Sequence, residues 1–149
     1  MKTNIKILTG ILAIPVLAAV LFLFFPRENG SAHASVDRTD YQAGETMELV
    51  MENGFKREIC FSSCYPYIME IQNEKGGWEA YVYQDCPAPD VAIDCIPASG
   101  SKKFRILLDD PMIGAHRLKI PVCFDCSAGQ NFKSDQMLYS GTFTISDKN

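Results

Sequence analysis

Six cysteines are the residues most able to do chemistry in this chain: Cys60, Cys64, Cys86, Cys95, Cys123 and Cys126. Their number is even, and three chemistries are open to them. Oxidation in pairs would give structural disulfides, each worth about 2–4 kcal/mol through restriction of the unfolded chain. The bridges could close within short stretches, joining Cys60 to Cys64, Cys86 to Cys95 and Cys123 to Cys126, or run between stretches. A metal site is the second chemistry, because Cys123-Phe124-Asp125-Cys126 has the C-x-x-C spacing that zinc favours. Cys60 and Cys64 are spaced more loosely, however, and no histidine is placed to complete an ordinary ligand set. The third is a redox pair. In thioredoxin-like proteins that motif opens a helix whose N-terminus lowers the thiol pKa, whereas here it follows a strand. The sequence therefore predicts disulfides, with no metal and no cofactor.

Other candidates carry less. His116 is a lone histidine on the inward face of a strand, which is a core position, and His33 lies in a polar N-terminal stretch. Asp85, Asp90, Asp94 and Asp125 could bring carboxylates near the cysteines as calcium ligands, but aspartates in such loops more commonly cap turns. No serine occupies a nucleophile elbow, no glycine-rich loop could cradle a phosphate, and no helix carries paired histidines. Trp78 fits core or hairpin packing. With no catalytic residue indicated, the chain is not expected to be an enzyme.

The compartment follows from the N-terminus. Lys2 and Lys6 precede an apolar run from Ile7 to Phe25, closed by Pro26-Arg27-Glu28. Such a run is long enough to cross a bilayer as a helix. Residues 1–26 are then an anchor with its N-terminus inside, by the positive-inside rule, or a signal sequence. Residues 27–35 are a stalk or a cleavage region, with Ala32-His33-Ala34 as a small-x-small site that would release the chain after Ala34. Either way residues 36–149 lie outside the cytoplasm, where thiols oxidise. From Ser35 onward 11 Lys and Arg face 17 Asp and Glu, a net charge of −6. That acidity argues against nucleic acid, which needs a surplus of cations, and against anionic headgroups.

The elements that would position the cysteines are strands. Met47, Leu49 and Met51 alternate with Glu48, Val50 and Glu52 up to Asn53-Gly54. Tyr67, Met69 and Ile71 alternate likewise, and Gly76-Gly77 supplies the positive φ angles of a hairpin turn into Trp78–Tyr83. Phe104, Ile106 and Leu108 alternate before the longest pattern, in which His116, Leu118, Ile120 and Val122 face one way and Arg117, Lys119 and Pro121 the other. Proline cannot donate to a ladder, so Pro121 predicts a bulge or an edge position. A first strand is expected at 36–41 and a last at 137–146. Stretches 55–66, 84–101 and 124–136 read as long connections, and they hold five of the six cysteines, with Cys123 at the end of the strand that leads into the third. About seven short strands without an amphipathic helix predict an all-β two-sheet sandwich.

Several stretches resemble bacterial immunoglobulin-like domains of exported and membrane-anchored proteins. They are Tyr41-Gln42-Ala43-Gly44-Glu45, Met47 to Asn53, Trp78 after its Gly-Gly turn, Pro97-Ala98-Ser99-Gly100-Ser101, Gly114-Ala115-His116-Arg117-Leu118 and Gly141-Thr142-Phe143-Thr144-Ile145. His116 departs from the pattern, since an aromatic is more usual there, and so do the six cysteines. The resemblance implies an immunoglobulin-like sandwich whose connections alternate between two ends, which would gather the three cysteine-bearing connections, and all six sulfurs, at one pole. It implies a binding or interaction module with a protein partner outside the cytoplasm. Phe61, Tyr65, Tyr67, Tyr83 and Phe124, in or beside those connections, are then the candidate contact residues. The alternatives are an inhibitor of exported proteinases, or a protein that uses the cysteine pole for thiol or metal chemistry.

Overall fold

The computed structural model describes residues 30–81, 86, 88–109 and 111–148. The anchor or signal expected at 1–26 lies outside them, as do residues 27–29, Tyr83 and Asp85. Among the described residues no helix is long and apolar enough to cross a membrane.

Alternation decides the first sheet. In β3 (Thr46–Asn53) Met47, Leu49, Met51 and Asn53 are buried while their neighbours are not. Burying one face of a strand fixes its register, because a one-residue slip would turn every apolar side chain to water. β3 accordingly pairs antiparallel with β1 (Ala32–Val36) on one edge and β8 (Ser101–Leu107) on the other. β1 begins at Ala32, so residues 32–35, expected as stalk or cleavage region, form part of the sheet. The chain is close-packed even before that: a Cβ on Gly30 would stand 2.6 Å from Phe55 Cα.

The second sheet is built on β9 (Gly114–Phe124), whose even-numbered residues from His116 to Val122 are buried. One edge of β9 pairs with β5 (Ile68–Gln72) and then β4 (Ile59–Ser62). The other pairs with β11 (Phe143–Ser146) and then β10 (Gln136–Tyr139). β6 (Trp78–Tyr81) adds to β5 and β7 (Ala92–Ile96) adds to β4, while β2 (Asp40–Gln42) runs parallel to β11. The link from β1 to β2 changes sheets under a fixed contact. Asp37 accepts hydrogen bonds from the Tyr41 hydroxyl and the Glu48 amide, each 2.8 Å. Burial, then the Asp37 carboxylate, push the Tyr41 hydroxyl up to about 12.

The described residues thus form eleven strands instead of about seven. β4 falls within the stretch expected to be a connection, because all four of its residues, Ile59 to Ser62, are buried and a strand buried on both faces shows no alternation. β7 was hidden among prolines and cysteines. The expected first and last strands are each interrupted, by residues 37–39 and 140–142. Pro121 is neither at a sheet edge nor in a bulge. The carbonyls of Leu118 and Val122 point towards the β10 side, so Pro121 faces the opposite side. There the ladder passes from Lys119 on β5 to Val122 on β4 and leaves position 121 unpaired. The missing N–H falls where nothing needs it.

Between the sheets Phe61 meets Phe104 edge to face at 5.3 Å. Met47, Leu49, Leu118, Ile120, Phe143 and Ile145 fill the rest of the core. Asn53 fastens one end, its side-chain amide reaching the carbonyls of Arg57, Ile96 and Pro97 at 2.8–3.1 Å.

Candidate functional site

The six cysteines form three disulfides: Cys60–Cys95, Cys64–Cys86 and Cys123–Cys126. The first two run between stretches and the third closes on itself. Cys60–Cys95 staples neighbouring strands with its Cα atoms 4.0 Å apart. Between the pairs Ile59↔Ile96 and Phe61↔Ile93 the register shifts, so β7 sets two residues, Asp94 and Cys95, against Cys60. That is a β-bulge, and Asp94 takes the positive φ, 52°, that such a site permits. In the C-x-x-C turn Asp125 has φ 58° and pairs with Arg57 at 3.1 Å.

The sulfurs do not gather at one tip. Cys60 and Cys123 are direct partners across β4 and β9, so Cys95, Cys60, Cys123 and Cys126 stand together. Cys64 lies beyond the far end of β4, where Asp90 Oδ1 accepts hydrogen bonds from Ser62 Oγ at 2.7 Å and from the Cys64 amide at 3.3 Å. The loop after β9 follows the same flank, where Gln130 O accepts from the Ala92 amide and Asp90 O accepts from the Phe132 amide. The three bridges are therefore strung along one side of the sandwich, and the loop covers the outer edge of β7, which a bare strand would leave open to aggregation.

Among the described residues Glu58, Cys60 and Cys95 are near enough to share an ion, but both sulfurs are spent in one disulfide and zinc requires thiolates. Asp90 caps a turn, Asp94 pairs with Lys102 and Asp125 with Arg57.

The candidate contact residues divide. Phe61 is 1% exposed and belongs to the core, which corrects its assignment to a contact surface: β4 is buried on both faces. Phe124 is half-buried, edge to face with Phe55 at 4.9 Å and beneath the Arg57 guanidinium, so it closes an end of the core. Tyr65 and Tyr67 line a cleft. With Cys64, Pro66, Ile68, Met69 and Tyr81 they face Ile106, Leu107 and Asp109 across a cleft of about 530 Å³. It opens at the seam between the sheets, where β5 and β6 approach β8. Its size suits a small ligand or a few side chains of a partner.

A polar group that the sequence did not single out lies on the outer face of the second sheet. Arg117 is held between the rings of Trp78, 4.5 Å away, and Tyr139, 4.4 Å away, and its Nε donates to Glu70 at 2.6 Å. Alternation placed Arg117 outside, but Glu70 and Tyr139 are brought beside it only by the registers of β5 and β10.

His116 takes the aromatic place expected of its position, stacked on Phe143 and edge to face with Tyr81, both at 5.8 Å. Its Nδ1 lies 2.9 Å from Gly114 O, while Nε2 is buried without a partner. Burial pushes its pKa below the ordinary 6.5, opposed by the Gly114 carbonyl. The unfolded chain therefore binds this proton more readily, and the stability that His116 contributes above about pH 6.5 is lost as the pH falls below that value. His116→Phe is expected to preserve the fold and to flatten the decline in melting temperature between about pH 7 and 5. Parallel declines in the two proteins would contradict this account.

The strand order defines the class: an immunoglobulin-like β-sandwich braced by disulfides. No family model matches the chain, and no curated protein matches it. Among solved structures it is similar to the CARDB domain of a Pyrococcus furiosus protein in complex with di-metal ions, at 8% identity and TM-score 0.43, covering 83% of this chain and 100% of that one. It is similar to the ASH/PapD-like domain of human CEP192, at 15% identity and TM-score 0.33, covering 83% and 88%. It also resembles part of the Pseudomonas fluorescens alkylpurine DNA glycosylase AlkC, at 13% identity and TM-score 0.40, covering 77% of this chain but 30% of that protein. At such identities and scores none of them bears on what this chain binds.

Proposed function

We propose that this chain is an extracytoplasmic binding module without catalytic chemistry, and that the cleft beside β8 takes an extended segment of a partner protein. The observation that carries the reading is the cleft itself, with three tyrosines, a proline and apolar side chains on its walls. Beside it runs a seven-residue strand whose pairing, among the described residues, is with β3 alone. An added strand would draw affinity from main-chain hydrogen bonds along β8 and selectivity from side chains lodged in the cleft. Lys102, Lys103 and Arg105 on β8 discourage the same edge from pairing with copies of itself.

Three disulfides fit an oxidising compartment. We place the chain at the outer face of a membrane, held by the run at Ile7–Phe25. Cleavage after Ala34 would remove Ala32, His33 and Ala34, three of the five residues that β1 pairs with β3, which favours the anchor. The intact mass of the native protein tests this placement, and a mature chain beginning at Ser35 would refute it.

Peptides selected from a display library on the intact chain in detergent test the binding reading. Leu107→Asp suits the purpose because Leu107 is 61% exposed and the change leaves the core alone. Peptides bound at the cleft are expected to lose about tenfold or more in affinity, ~1.4 kcal/mol, to that variant and to Tyr65→Ala. Binding indifferent to both substitutions would remove the cleft as the site.

A further inference from the structure

The four cysteines that stand together form an ordered row, in which the two inner members are buried and the two outer ones are partly exposed. Cys95 on β7 is half-exposed, Cys60 on β4 is fully buried, Cys123 on β9 is 2% exposed and Cys126 beyond it is half-exposed. Disulfides join the outer members to the inner ones. The inner two are direct cross-strand partners, a relation that sets Cα atoms about 4.5–5.5 Å apart, inside the range of roughly 4.4–6.8 Å that a disulfide spans. The two bridges also touch, Cys60 Sγ lying 3.3 Å from the Cys126 carbonyl oxygen. Cys60 thus stands between Cys95, to which it is bonded, and Cys123, its direct partner across the ladder.

We propose that this row is a thiol–disulfide relay, in which an electron pair delivered by an external dithiol at Cys126 emerges at Cys95. One thiolate of the dithiol attacks the accessible Cys126 Sγ, forming a mixed disulfide and expelling Cys123 as thiolate. The second thiolate of the dithiol then closes on its partner sulfur, so that the dithiol leaves as a disulfide and Cys126 becomes a thiol. The Cys123 thiolate attacks Cys60 Sγ across the ladder, the Cys60–Cys123 bond forms, and the Cys60–Cys95 bond breaks with Cys95 leaving as thiolate. The two protons of the dithiol end on Cys126 and Cys95. One disulfide has been reduced, one dithiol has been oxidised, and the internal step is an exchange with no net electron transfer. The staple moves from β4–β7 to β4–β9, and both new thiols lie at the half-exposed ends of the row. The inference goes beyond the binding role and does not rest on it.

Cys126→Ser isolates the internal step, because it leaves Cys123 as a thiol opposite an intact disulfide. Alkylation of the native variant, followed by digestion and fragmentation mass spectrometry, is expected to find a Cys60–Cys123 bridge with the label on Cys95. A label on Cys123 beside an intact Cys60–Cys95 bridge would overturn the proposal. Should the variant not accumulate, the wild-type chain treated with one equivalent of dithiothreitol and then alkylated gives the same answer. Labels on Cys95 and Cys126 are expected. Labels on Cys123 and Cys126, or on Cys64 and Cys86, would overturn it.

Discussion

Replacing Cys60 and Cys95 together by alanine is expected to lower the unfolding free energy by about 4 kcal/mol, the cost in chain entropy of opening a bridge across 35 residues. Domains of this size are stable by about 5–15 kcal/mol, so the variant would lose a quarter or more of its margin. The effect should be concentrated in the outer part of the second sheet. β7 pairs with β4 through a bulge at the very residue that the disulfide fixes, and the loop after β9 rests on β7 through the Ala92 bonds. Freed of its staple, that edge has few other ties. Thermal unfolding measures the result directly: a midpoint lower by about 15 °C or more is expected. A fall of a few degrees would mean that the ladder alone holds β7. Opening Cys123–Cys126, which spans three residues, should cost about half as much on the same reasoning.

The second large effect lies farther along β9, where Arg117 pairs with Glu70 of β5. Arg117→Met would strip Glu70, whose side chain is 7% exposed, of its 2.6 Å partner and leave it with Lys119 at 4.0 Å. A buried carboxylate deprived of its close cation costs about 3 kcal/mol or more, because desolvation is no longer repaid. The Trp78 and Tyr139 rings lose their shared guanidinium as well, a smaller contribution of about 0.5–1 kcal/mol for each ring at partly exposed sites. The companion variant Arg117→Met/Glu70→Leu separates the two causes: removing both charges should restore most of the loss. Urea unfolding followed by the fluorescence of Trp78, the single tryptophan, reads both. Equal stability of Arg117→Met and the wild type would show that Glu70 is satisfied from elsewhere.

Local rules reached the long strands and stopped at the short ones. β3, β8 and β9 were readable because each buries one face, so that Met47, Leu49 and Met51, or Leu118, Ile120 and Val122, recur every second residue. β4 was not, since Ile59, Cys60, Phe61 and Ser62 are all buried and a strand enclosed on both faces carries no period. The same blindness placed Phe61 on a contact surface when it is core.

The sequence by itself determined an all-β fold for the described residues, an even number of cysteines able to pair, and the inward placing of Leu118, Ile120 and Val122 on β9. Those are properties of composition and of a two-residue period. Only the tertiary structure decided which cysteines bond, that Arg117 meets Glu70, Trp78 and Tyr139, and that Tyr65 and Tyr67 open onto a cleft with Leu107. Each of these depends on register between strands distant along the chain, and register is set by the sum of the buried faces, which no single stretch of residues contains.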